Sequence, residues 1–73
     1  MAVEVEAHIT GNLWKIVKKV GDKIEEGEEI MILESMKMEI ALDAPCAGIV
    51  REVRVQPGSA VRAGQCLLVI EEH

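Results

Sequence analysis

Few residues in this chain can do chemistry, and they form one dense group and four isolated positions. The dense group is Glu34-Ser35-Met36-Lys37-Met38-Glu39, near the midpoint of the 73 residues. It holds one amine between two thioethers, with a carboxylate on either side. The isolated positions are Cys46, Cys66, His8 and His73. The cysteines stand in separate segments, without a CxxC spacing or a nearby histidine pattern. That gives no support to a disulfide, a zinc site or a thiol nucleophile, and both read as reduced, one in a loop and one in a strand. His8 lies in a terminal strand region and His73 at the chain end, and both read as incidental. Neither a metal site nor a catalytic residue is expected, and the stretch that stands out is the dense group around Lys37.

Two elements must position that lysine. Residues 30–33, Ile-Met-Ile-Leu, are an unbroken apolar run of strand length, and residues 38–43 alternate apolar and polar as a half-buried strand does. With so little chain between them they must return as a hairpin whose turn is made of Met36 and Lys37. Two-residue hairpins favour turns with positive φ, which select Asn-Gly, Asp-Gly or Gly-Gly. A methionine and a lysine there cost on the order of 1–3 kcal/mol each in backbone strain. Hairpin geometry then pairs Ser35 with Met38, Glu34 with Glu39 and Leu33 with Ile40, and paired residues share a face. Leu33, Ile40, Met31 and Leu42 face the core. Glu34 and Glu39 stand opposite each other outside, a mildly destabilising arrangement of like charges. By position alone, a lysine at a hairpin tip is a solubilising charge.

The length permits one domain over 1–73 with a small core, and leaves no room for a catalytic domain. Trp14 is the single aromatic residue, so the core must be built of Val, Ile, Leu and Met. Acidic residues outnumber Lys plus Arg 13 to 8, a net charge of −5 that disfavours nucleic acid and anionic membrane as partners. There is no basic start followed by an apolar stretch, and no apolar run of membrane-spanning length. A cytoplasmic protein is the expectation.

In chain order, strands are predicted over 3–7, 13–17, 30–33, 38–43, 49–55 and 67–70, with shorter pieces around Ile24 and Val61. Turns are placed at Gly11-Asn12, Val20-Gly21-Asp22, Glu25-Glu26-Gly27, residues 44–48, Gln56-Pro57-Gly58 and Ala63-Gly64. No segment has helical periodicity. Seven or eight short strands at this spacing indicate a small all-β sandwich or barrel. A shift of 37 residues superposes Gly11 on Gly48, Gly21 on Gly58, Gly27 on Gly64 and Glu34 on Glu71, with apolar positions following. The coincident glycines suggest turn backbones used twice. Two copies of a unit too small to bury its own apolar face imply a pseudo-two-fold structure around one core. Leu13 and Ile16 are an odd number apart, so a bulge or burial on both faces is required there. The repeat also puts the hairpin tip opposite the chain ends.

Glu34-Ser35-Met36-Lys37-Met38, preceded by an apolar strand and followed by Ala44-Pro45-Cys46-Ala47-Gly48, resembles the biotin attachment site of biotin carboxyl carrier domains. The likeness extends from about Val3 to Glu71. The related lipoyl domains usually carry Asp-Lys-Ala at this turn, so Met36 and Met38 favour biotin. The resemblance implies a flattened all-β barrel of two four-stranded antiparallel sheets. It also implies that Lys37 receives biotin through an amide bond from a biotin protein ligase. Biotin then serves as a swinging arm between biotin carboxylase and carboxyltransferase subunits, as in an acyl-CoA carboxylase. On this reading Glu34, Ser35, Met36, Met38 and Glu39 serve recognition by the ligase and partner enzymes, with Met38 divided between that role and core packing. Ser35 stands where Ala is more frequent. No protruding insertion fits between Leu13 and Ile30, and no Pro/Ala-rich linker precedes the first strand, so the chain reads either as a free-standing carrier or as a domain cut from a longer protein. Two other readings stay open. One is a lipoyl carrier, or a domain also modified by lipoate ligase. The other is an unmodified β domain in which Lys37 is a surface charge.

Overall fold

A computed structural model describes residues 1–72, and the reading of His73 as incidental lies outside the described residues. Among the described residues there are eight strands: β1 (Ala2–Glu6), β2 (Gly11–Ile16), β3 (Lys23–Ile24), β4 (Glu29–Ser35), β5 (Met38–Asp43), β6 (Gly48–Val53), β7 (Ala60–Val61) and β8 (Cys66–Glu72). They form two four-stranded sheets, ordered β1-β8-β6-β3 and β5-β4-β2-β7, with antiparallel pairing throughout. The expected all-β architecture is therefore the observed one. Between the sheets lie Leu13, Ile24, Ile30, Met31, Leu33, Val50, Val61, Leu67, Leu68 and Ile70, each under 2 % exposed, with no polar side chain buried among the described residues. Trp14 is half outside, so aliphatic and thioether side chains fill the core.

The two halves are the same structure used twice. Each gives up its two-residue strand to the other: β3 pairs with β6, and β7 with β2. The loop hydrogen bonds repeat at the 37-residue offset. The Gly21 N–H donates to the Val50 carbonyl and the Gly58 N–H to the Leu13 carbonyl, at 2.9 and 2.7 Å. Gly21 and Gly58 have φ of 94° and 91°, a backbone that side chains with a Cβ rarely adopt. Gly11 and Gly48 serve differently. They were expected in turns, yet they open β2 and β6, and a Cβ on either would collide with a neighbouring carbonyl oxygen, that of Glu34 or of Glu71. These glycines permit close strand approach, and the first turn falls instead at residues 8–10. The odd spacing of Leu13 and Ile16 is resolved by a register shift between Leu13 and Lys15, and β6 repeats it between Val50 and Glu52.

The molecule extends 35 × 17 × 17 Å. β4 starts beside Asp43 and Ala44, close to where Ile24, Gly48 and Glu72 meet, and runs away from that end to the Met36-Lys37 turn. At the equivalent place on the other pole the chain ends meet: the Glu72 N–H donates to the Met1 carbonyl and the Met1 ammonium pairs with the Glu71 carboxylate, both at 2.8 Å. Tip and termini thus occupy opposite poles.

Candidate functional site

The β4-β5 hairpin has the register read from the sequence: Ser35 pairs with Met38, Glu34 with Glu39 and Leu33 with Ile40. Two residues are left for the turn, and both are left-handed, Met36 at φ 53° and Lys37 at φ 65°. Two successive positive φ values define the primed turn whose twist matches the flanking strands. Neither residue is of the type that adopts it without strain.

Burial falls off steeply along the hairpin. Leu33 is fully buried and Ile40 half-buried, while Met38 is 63 % and Met36 91 % exposed. Met38 does share a strand face with Ile40 and Leu42, but the core ends below it, so it belongs to the tip rather than to the packing. Lys37 is exposed and makes no hydrogen bond or ion pair among the described residues. Glu34 and Glu39 lie directly opposite each other on the outer face, both exposed.

Ser35 is half-buried, and its hydroxyl donates to the Thr10 carbonyl at 3.1 Å. The Thr10 hydroxyl in turn accepts the Ala63 N–H at 3.1 Å. The base of the hairpin is thereby tied to the β1-β2 loop, and that loop to the turn after β7. Thr10 had no signal in the sequence, because the contact joins positions 25 residues apart through a backbone carbonyl that any residue type supplies.

The arrangement presents an amine without building a pocket around it. Two surface depressions lie away from it, one over Glu4, Arg51, Glu52 and Arg54 and another between Val5, Leu42 and Pro45. No group of three His, Cys, Asp or Glu among the described residues is placed to hold a metal. Cys46 and Cys66 are free thiols, both half-buried. Burial, then the negative charges of Glu72 and Glu26, push the Cys46 thiol above its ordinary pKa, the opposite of what activates a nucleophile. What the tip offers chemically is an exposed primary amine, a nucleophile once it is neutral.

A family described as biotin-requiring enzyme, the biotin/lipoyl family, matches residues 1–70. The chain belongs to the biotin/lipoyl family. It is 52 % identical over 64 residues to a biotin/lipoyl attachment protein of Bacillus subtilis, a match covering 88 % of each chain. It is 43 % identical over 70 residues to a biotinylated protein homolog of Mycobacterium leprae, covering 96 % of this chain and 99 % of that one. Among solved structures, the urea carboxylase of Kluyveromyces lactis contains a region matching 97 % of this chain at 35 % identity with a TM-score of 0.91. That region is 6 % of the carboxylase, so within this family the fold also occurs as a small part of a large enzyme. No helix among the described residues is long and apolar enough to cross a membrane.

Proposed function

We propose that this chain is a biotin carrier and that Lys37 receives the group. The observation that carries the reading is the turn itself. Met36 and Lys37 hold positive φ without help from glycine or asparagine, and strain of this kind persists where the surrounding structure imposes it and a site uses it. Its effect is to hold an amine that has no partner among the described residues at the pole remote from the chain ends. Support comes also from the family match and from a relative named as biotinylated.

Attachment is a condensation catalysed elsewhere. A biotin protein ligase would use ATP to activate the biotin carboxylate as an adenylate, with pyrophosphate leaving. The neutral Lys37 amine attacks the acyl carbon, the new C–N bond forms, AMP leaves with the electrons of the cleaved acyl–phosphate bond, and the amine's proton passes to a base of the ligase. Bound biotin would then supply a ring nitrogen that carries a carboxyl group from a biotin carboxylase site to a carboxyltransferase site. The chain's own share is mechanical and recognitional. The rigid barrel sets the origin of the arm, and the Ser35–Thr10 bond holds the hairpin base. Met36 and Met38 offer polarizable, adaptable contact to successive enzyme surfaces. Glu34 and Glu39 select partners with cationic rims. Two unpaired thiols suit the reducing cytoplasm, where we place this chemistry.

The test offers biotin-loaded chain to a biotin carboxylase with ATP and labelled bicarbonate. One label per biotin is expected. A fully loaded chain that takes up no label contradicts the carrier reading. A second reading is favoured by the name of the Bacillus relative, which joins biotin with lipoyl. On that reading a lipoate ligase acts on the same lysine, and Met36→Asp with Met38→Ala shifts acylation toward lipoate. Unchanged preference in that double variant removes the methionines as the discriminating residues.

A further inference from the structure

The internal two-fold allows each outer sheet face to be compared with its counterpart position by position, and the two faces differ in kind. On the β1-β8-β6-β3 sheet the outer face is a charged lattice. Arg54 pairs with Glu52 at 2.6 Å and with Glu4 at 3.7 Å, and Arg51 with Glu71 at 3.3 Å. Beneath these side chains Val69 is only 5 % exposed. On the other sheet the 37-residue offset replaces Arg51 by Trp14, Arg54 by Val17 and Glu4 by Ala41, and puts Ile32 in the place of Val69.

Of that charged cover only Lys15, in the place of Glu52, and Glu34, in the place of Glu71, have charged counterparts on the second face. Trp14 is 48 % and Val17 40 % exposed, Ala41 is exposed, and Ile32 is half-buried. The patch is continuous by register: Ala41 pairs with Ile32, Ile32 with Lys15, and Trp14 is the bulge residue between Leu13 and Lys15. A bulge that turns out the chain's one aromatic residue leaves its apolar area available to a partner. The next rung toward the tip is Asn12, Glu34 and Glu39, and two residues beyond lie Met36 and Lys37. At about 3.4 Å per residue, the Ile32 rung stands on the order of 14–17 Å from the turn.

We propose that the Trp14–Ile32–Ala41 face is the docking surface for the ligase that acylates Lys37. This rests on the reading of Lys37 as the acceptor. The occupant follows from reach and charge. Before loading the chain has no arm beyond the lysine side chain, so the enzyme that acylates it must seat the protein surface itself against its own. After loading, the arm lets other enzymes act from a greater distance. The acidic rung of Glu34 and Glu39 between patch and tip calls for a ligase surface with an apolar groove for Trp14 bordered by cations. Such a buried aromatic anchor with a charged rim is the pattern of a binding hot spot.

The experiment follows steady-state biotin transfer by a purified biotin protein ligase to the full chain and to Trp14→Arg, Trp14→Ala and Arg51→Ala. Trp14→Arg installs the residue that the equivalent position already holds, and Trp14→Ala guards against a new charge effect. Both Trp14 variants should raise KM about tenfold with kcat within about twofold, the signature of lost docking rather than altered chemistry. Arg51→Ala should match wild type. An unchanged KM in the Trp14 variants, while wild type loads normally, overturns the docking surface and leaves Lys37 as acceptor. A wild-type chain that never loads at Lys37 overturns both. Normal loading of Trp14→Arg, followed by weakened use of the loaded variant by biotin carboxylase, assigns the face to that enzyme and overturns the ligase assignment.

Discussion

At the scale of single residues, the turn is where composition and conformation conflict most openly. Met36 and Lys37 hold φ of 53° and 65°, positions that Asn or Gly fill without penalty. Met36→Asn should therefore stabilise the fold by about 1 kcal/mol, raising Tm by roughly 4–8 °C in a domain of this size. The same variant should load biotin more slowly, because it removes a thioether from the tip. Scanning calorimetry and loading rates check both parts, and a Tm at or below wild type would mean that the turn is not strained. The turn was legible in the sequence because an apolar run and an alternating run left two residues to join them. Met38 was legible only in part. Alternation shows which face it shares with Ile40 and Leu42, but not that the core stops before reaching it. Thr10 was not legible, since its link to Ser35 runs through a backbone carbonyl.

At the scale of elements, the glycines divide by role. Gly21 and Gly58 were read correctly as turn residues of positive φ. Gly11 was misplaced in a turn because a glycine beside an asparagine is a turn signal, and the sequence does not show how closely β2 approaches β4. A Cβ on Gly11 meets the Glu34 carbonyl, and on Gly48 the Glu71 carbonyl. Gly11→Ala and Gly48→Ala should each cost about 1–3 kcal/mol through overpacking. Only Gly11→Ala should also slow biotin loading, because only there does the displaced strand carry Glu34 and Ser35. Denaturant unfolding and loading kinetics measure the two effects. Equal loading by both variants would separate the hairpin's function from its support by β2. The bulge in β2, by contrast, was one of the two alternatives that the parity of Leu13 and Ile16 required, and the register shift decides between them.

At the scale of the whole molecule, the repeat carried most of the fold. The offset of 37 residues predicted the two-fold relation, the shared core and the opposition of tip and termini, and the paired loop hydrogen bonds follow it. What it did not reveal was the exchange of β3 and β7 between halves, because strands of two residues leave no periodicity to detect. That exchange joins the two halves by hydrogen-bonded strand pairs around one core, and the tip projects from it. The central claim is that this fold exists to present Lys37. The most direct test is the intact mass of the chain after incubation with biotin, ATP and a biotin protein ligase, beside Lys37→Ala and Lys37→Arg. One added biotin on the wild-type chain and none on either variant is the predicted result. No added mass on the wild type, or an equal addition to the variants, would contradict it.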